Sequence, residues 1–107
     1  MNEMDLLRYF PRVWHVAENG SWDSIRKHGL LSTTALLDLF GIVGTEREAI
    51  ESRRRPEAVA ISARGIGNAI IRDNKPTTDQ ALEKCLVPGL SPTEWFRLLN
   101  DRAFLWL

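Results

Sequence analysis

A chain of 107 residues fits one small domain, residues 1–107, and leaves no room for a second. Fourteen basic side chains against fourteen acidic ones give a formal net charge of zero. That balance excludes the overall positive field that draws proteins onto nucleic acid or anionic membranes, and leaves nucleic-acid binding unsupported. A content of 44% hydrophobic and 26% charged residues excludes wholesale disorder.

The single Cys85 has no internal disulfide partner, and Met1-Asn2-Glu3-Met4-Asp5 is acidic where a secretory signal is basic and then apolar. No apolar run approaches the roughly 20 residues that span a bilayer. A soluble, cytoplasmic protein with no membrane partner is the expectation.

In chain order, residues 2–10 set Met4, Leu7 and Phe10 on one helical face and predict a short packing helix. Pro11 closes it, because the residue before a proline is pushed out of the helical region. The Val and Trp content of residues 12–17 predicts a strand buried on both faces, with His15 near its end. Asn19-Gly20-Ser21 then offers turn and N-cap chemistry for a helix on which Trp22 and Ile25 share a face. Lys27 and His28 fall in its last turn, where positive charge suits the dipole, and Gly29 reads as a left-handed C-cap. Ser32 or Thr33 caps a second helix carrying Leu36, Leu37 and Phe40, which Gly41 ends in the same way. Thr45 with Glu48 spells a capping box for a third, whose C-terminus Arg53-Arg54-Arg55 crowds and Pro56 stops.

Ala58-Val59-Ala60-Ile61 and Ala69-Ile70-Ile71 are short apolar runs either side of Arg64-Gly65-Ile66-Gly67 and predict two strands joined by a turn. Thr77 with Gln80 resembles another capping box, for a helix with Leu82, Cys85 and Leu86 on one face. Ser91-Pro92-Thr93-Glu94 is the clearest helix start in the chain, with serine at the N-cap, proline at the first helical position and glutamate two places on. Trp95, Leu98 and Leu99 are that helix's predicted buried face. Residues 102–107 look like a strand that ends the chain without a polar tail, and a chain incomplete at its C-terminus is the expectation. Short helices alternating with short strands indicate an α+β fold, several helices around a small sheet.

Each candidate residue has a functional and a plain reading. His15, an imidazole at a strand end, can bind ribose hydroxyls through one nitrogen while the backbone holds the other; alternatively it is a satisfied, half-buried histidine. His28 reads as a C-terminal dipole partner. Arg53-Arg54-Arg55 either contacts phosphates or is a solvated helix end. Arg72, heading Arg72-Asp73-Asn74-Lys75-Pro76 after an apolar strand, stands where ligand-binding loops lie, or in an exposed turn. Trp14, Trp22, Trp95 and Trp106 read as core, with an indole at a pocket edge as the other possibility. Two histidines thirteen residues apart and one distant cysteine lack zinc-site spacing, so no metal site is assigned. Gly65-x-Gly67 lacks the third glycine of a dinucleotide fingerprint, and no nucleophile elbow or Cys-His pair is present.

The run Val13-Trp14-His15-Val16-Ala17, followed by Gly20-Ser21-Trp22-Asp23-Ser24-Ile25-Arg26-Lys27-His28-Gly29-Leu30-Leu31-Ser32, resembles the opening motif of the ADP-ribosyltransferase superfamily in its diphtheria-toxin-like and poly-ADP-ribose-polymerase-like branches. Most of the chain also resembles an uncharacterised bacterial domain family of unknown function. The phrases shared with it are Pro11-Arg12-Val13-Trp14-His15, Ile25-Arg26-Lys27-His28-Gly29-Leu30-Leu31-Ser32, Ile50-Glu51-Ser52-Arg53-Arg54-Arg55-Pro56, Ile71-Arg72-Asp73-Asn74-Lys75-Pro76 and Trp95-Phe96-Arg97-Leu98-Leu99-Asn100.

The superfamily resemblance implies the N-terminal half of an ADP-ribosyltransferase-like fold, with NAD as cofactor. His15 matches the histidine that binds the NAD ribose, and Val16, where polymerase-like members have glycine, offers its main-chain groups to the nicotinamide. Ser32 and Thr33 of the Ser32-Thr33-Thr34 rim edge the cleft, Arg72 joins from its loop, and Trp106 falls where the second motif places an aromatic residue. The third motif, a glutamate on a later strand, is expected beyond Leu107, so no catalytic residue is assigned and the polypeptide is not expected to be a competent transferase. Two other outcomes are open. The chain is a non-enzymatic interaction domain that takes a protein partner, or a second copy of itself, along its last strand, or it is an inactive remnant of a longer gene.

Overall fold

The computed structural model describes residues 2–106. In order these are α1 (Glu3–Tyr9), α2 (Trp22–His28), α3 (Thr33–Phe40), α4 (Gly44–Glu51), β1 (Val59–Ala63), β2 (Gly67–Ile71), α5 (Asp79–Cys85) and α6 (Pro92–Asn100). The class is α+β, six helices around one antiparallel hairpin.

β1 and β2 pair with Val59 opposite Ile71 and Ile61 opposite Ala69. Successive side chains on a strand point to opposite faces, so this register sets Ile61, Ala69 and Ile71 on one buried face. α3 and α4 cover that face with Leu37, Phe40 and Ile50, joined by Ile42 from the loop between them. Arg47 ties the two helices together: it bridges Asp38 at 2.7 Å and Glu51 at 3.2 Å, and Glu51 also accepts from Thr34 Oγ1 at 3.0 Å. These bonds, to Asp38 first and then Glu51, raise the Arg47 pKa. α6 contacts both α4 and α5; its Phe96 is 1% exposed, and Leu82 is buried on α5.

α2 is fastened to the hairpin turn by two bonds to one carbonyl. Lys27 Nζ donates to the Ile66 oxygen at 2.9 Å and His28 Nε2 donates to it at 3.0 Å. The His28 ring meets Phe40 edge-on at 6.3 Å, so this histidine is a packing and bridging group.

Several local expectations need correction. α1 has no buried residue: Met4, Leu7 and Phe10 are 74, 60 and 41% exposed, because among the described residues no other element packs over that face. Residues 12–17 form an extended segment with a single bridge, Trp14 to Trp106, in place of a strand buried on both faces. Residues 102–106 likewise contribute that bridge alone, and Leu107 lies outside the described residues. Trp14, Trp22 and Trp106 are 60, 65 and 59% exposed and so are not core, and Trp95 is half-buried. On α6 the buried face carries Phe96 and Asn100, while Leu98 is exposed, because α4 and α5 approach from that side. Cys85 is exposed on α5.

Among the caps, Ser91 and Ser32 do as expected, accepting from the N–H groups of Glu94 and Ala35. The cap of α5 is Thr78, one place after Thr77, and α4 starts after Val43 with no side-chain cap. Gly41 ends α3 in the left-handed region. Gly29 combines φ 85° with ψ 175°, a region essentially reserved for glycine but not the left-handed helical one.

Candidate functional site

A cleft of about 300 Å³ opens between the extended segment before α2, the end of β2, the start of α3 and the chain leaving α6. This volume is at the small end of the range for ligand sites. A second hollow of about 370 Å³ adjoins it, and His15, Glu18 and Ser21 belong to the walls of both.

His15 owes its position to the Trp14–Trp106 bridge. The two tryptophans exchange both main-chain bonds at 2.6 Å, which aligns the next residue with the returning chain. His15 Nδ1 then donates to the Phe104 carbonyl at 2.8 Å. A ring that donates through Nδ1 is held in one orientation, and in its neutral form presents Nε2 as an acceptor. The peptide groups of Val16 make no bond to another described main-chain group.

Of the six residues singled out as cofactor-binding, His15, Val16, Thr33, Arg72 and Trp106 line the cleft. Ser32 does not, because its hydroxyl is engaged as the cap of α3. Thr34, the other member of that rim, bonds Glu51. Only Thr33 of the three faces the cleft.

Arg55, Ser21, Asn100, Glu18 and Asp73 also line this cleft without having been assigned to it. The three arginines after α4 have three different fates. Arg53 is exposed and Arg54 donates to the Lys75 carbonyl, whereas Arg55 is 8% exposed. Its Nε donates to the Arg72 carbonyl at 3.0 Å, and its Nη1 to the Ile50 carbonyl at 2.7 Å and to Asn100 Oδ1 at 3.0 Å. Asn100 in turn donates to the Glu51 carbonyl at 2.8 Å. Arg55 is therefore not a solvated helix end. Burial lowers its pKa, and the nearby charge of Asp73 works in the opposite direction.

Ser21 is 7% exposed, and its Oγ has no hydrogen-bond partner among the described residues although it occupies the N-cap position of α2. Its ψ of −17° is helical, which turns the hydroxyl away from the amides that a cap in extended conformation reaches. Nothing in a sequence separates a serine that caps from one that only stands where a cap would be.

Among the described residues no three His, Cys, Asp or Glu side chains gather as metal ligands, and no helix is long and apolar enough to cross a membrane. The model of a family of unknown function, DUF7002, matches residues 11–107. No curated protein and no solved structure matches the chain.

Proposed function

We propose that this chain, which belongs to the DUF7002 family of unknown function, binds NAD in the cleft at His15 in the manner of an ADP-ribosyltransferase-like domain. The observation that carries the reading is the bond from His15 Nδ1 to the Phe104 carbonyl. It orients the imidazole and leaves Nε2 for a ribose hydroxyl, the division of labour that the first motif of that superfamily asks of its histidine. The peptide groups of Val16, which have no main-chain partner among the described residues, are the candidates to hold a nicotinamide amide beside it, and Trp106 offers an indole for stacking. The cleft alone is small for a dinucleotide, and the adjoining hollow across His15 gives the second half of the molecule a place.

The reading is one of binding. Transfer chemistry needs a carboxylate at the ribose hydroxyl to stabilise an oxocarbenium-like transition state. Glu18 and Asp73 line the cleft, and neither stands on the strand to which the resemblance assigns the catalytic glutamate. The test is a calorimetric and thermal-shift titration of NAD on the wild-type chain and His15→Ala. A ligand selective for the folded state raises its stability by mass action. The expected result is a saturable rise that His15→Ala removes; no rise at millimolar NAD in a cooperatively melting protein overturns the reading.

A second reading, a protein-interaction domain, is favoured by one observation. Val13, Trp14, Phe104, Leu105 and Trp106 are each at least 44% exposed and are gathered at a single bridge. A contiguous apolar surface of this kind marks an interaction site.

A further inference from the structure

We infer that the cleft contains an oxyanion subsite, in which the Arg55 guanidinium receives the phosphate or carboxylate group of a small organic ligand. Arg55 is the charged side chain of the cleft that is most withdrawn from solvent. Cations buried to this degree are ordinarily matched by a carboxylate, because an uncompensated charge in a poorly solvated site is costly. No described carboxylate lies within 4.0 Å of it: the ion pairs of the described residues are those of Arg47 with Asp38 and Glu51. Asp73 acts on it only at longer range, and its Oδ2 accepts from the Lys75 N–H at 3.2 Å.

A purely structural role accounts for part of this geometry. The acceptors of Arg55 include the Ile50 carbonyl in the last turn of α4 and the side chain of Asn100 at the end of α6, where helix dipoles are negative. Those are partial charges, and they engage Nε and Nη1. Nη2 makes no hydrogen bond to a described residue and is not among the sealed, unpartnered atoms, so it keeps some access to solvent, and Arg55 is one of the residues that line the cleft. Arg72 and Arg102 stand on the same walls as Glu18 and Asp73, so that with Arg55 the lining carries three formal positive charges against two negative. A ligand carrying an oxyanion matches the unpaired Nη2, with its apolar body against Ile25, Leu36 and Leu99. The subsite shares its cleft with the NAD reading and does not depend on it.

The test titrates inorganic pyrophosphate, inorganic phosphate and succinate into the wild-type chain at constant ionic strength. Thermal midpoint and the Arg55 Nε–Hε resonance are followed together. Excluded-solute stabilisation by phosphates rises steadily with concentration and does not saturate, whereas occupancy of a site does. The expected result is a saturating rise in the midpoint with a saturating shift of the Arg55 resonance, for either phosphate probe or for succinate, the responding probe naming the head group. Arg55→Lys, which keeps the charge but loses the planar fork, weakens the apparent affinity about tenfold or more, and Arg72→Gln weakens it less. Should Arg55→Lys fail to fold, the wild-type resonance decides by itself. An Arg55 resonance unmoved by all three probes overturns the inference. A pyrophosphate response without NAD binding leaves it standing and removes the NAD reading, and NAD binding with no response to any of the three probes does the reverse.

Discussion

Phe96 and Trp95 are neighbours on α6 with opposite environments: the phenyl ring is 1% exposed and the indole is half-buried. Truncating a fully buried aromatic removes its transfer free energy and leaves a cavity, so Phe96→Ala is expected to lower stability by about 3–5 kcal/mol in urea or thermal unfolding. Trp95→Ala should cost clearly less. The sequence marks both as apolar and cannot say which one the helix turns inward, because that depends on where α4 and α5 lie. The same holds for Arg53-Arg54-Arg55: three identical side chains in a row carry no internal signal that the third is withdrawn and hydrogen-bonded while the first is solvated. His15 was legible as a candidate, since an imidazole ending an apolar run is an unusual placement. Its bond to the Phe104 carbonyl was not, because the two residues are 89 positions apart.

At the scale of elements, two serines stand at helix N-caps with opposite consequences. Ser91 has extended backbone angles and accepts from the Glu94 N–H at 3.2 Å, so Ser91→Ala should destabilise by about 1 kcal/mol. Ser21 is buried with no partner, so Ser21→Ala removes an unsatisfied hydroxyl and should leave stability unchanged or raise it by about 1 kcal/mol. Chemical denaturation of the two variants beside the wild type checks both signs, and a loss in Ser21→Ala comparable to that in Ser91→Ala would show that its hydroxyl has a partner in solution. On α5 the same measurement should find a loss of about 1 kcal/mol for Thr78→Ala and little for Thr77→Ala, since Thr78 is the cap. Cap and hairpin chemistry is local, and for that reason the helix that begins after Ser91 and the two strands around Arg64-Gly65 could be read from residues a few places apart. The strand expected over residues 12–17 could not be tested in this way, because a strand needs a partner, and its partner is limited to Trp106.

The molecule as a whole is a slab of 45 × 43 × 20 Å with a radius of gyration of 15.8 Å, against about 13 Å for a compact chain of this length. A thin body leaves many side chains without a second layer to cover them. Met4 and Leu7 on α1, and Trp14, Leu105 and Trp106 at the bridge, are each more than half exposed. Self-association through this apolar surface is the expected outcome, read as a sedimentation coefficient that climbs with protein concentration. Trp14→Glu should suppress the rise while leaving the melting transition cooperative. A coefficient independent of concentration across the micromolar range would reject self-association and leave the surface to a different partner.

By itself the sequence determined the α+β class, the six helices to within a few residues at their ends, the hairpin, and a short list of candidates that the fold largely gathers into one cleft. These depend on periodicity, turn residues and caps, interactions that close within a few residues and are written in local order. Only the tertiary structure decided which face of each helix is buried, that Ser32 is engaged as a cap, that Arg55 rather than its neighbours lies in the cleft, and that Ser21 is left without a partner. Those outcomes arise between elements far apart in the chain. There, burial and hydrogen bonding are shared among neighbours that no local pattern names.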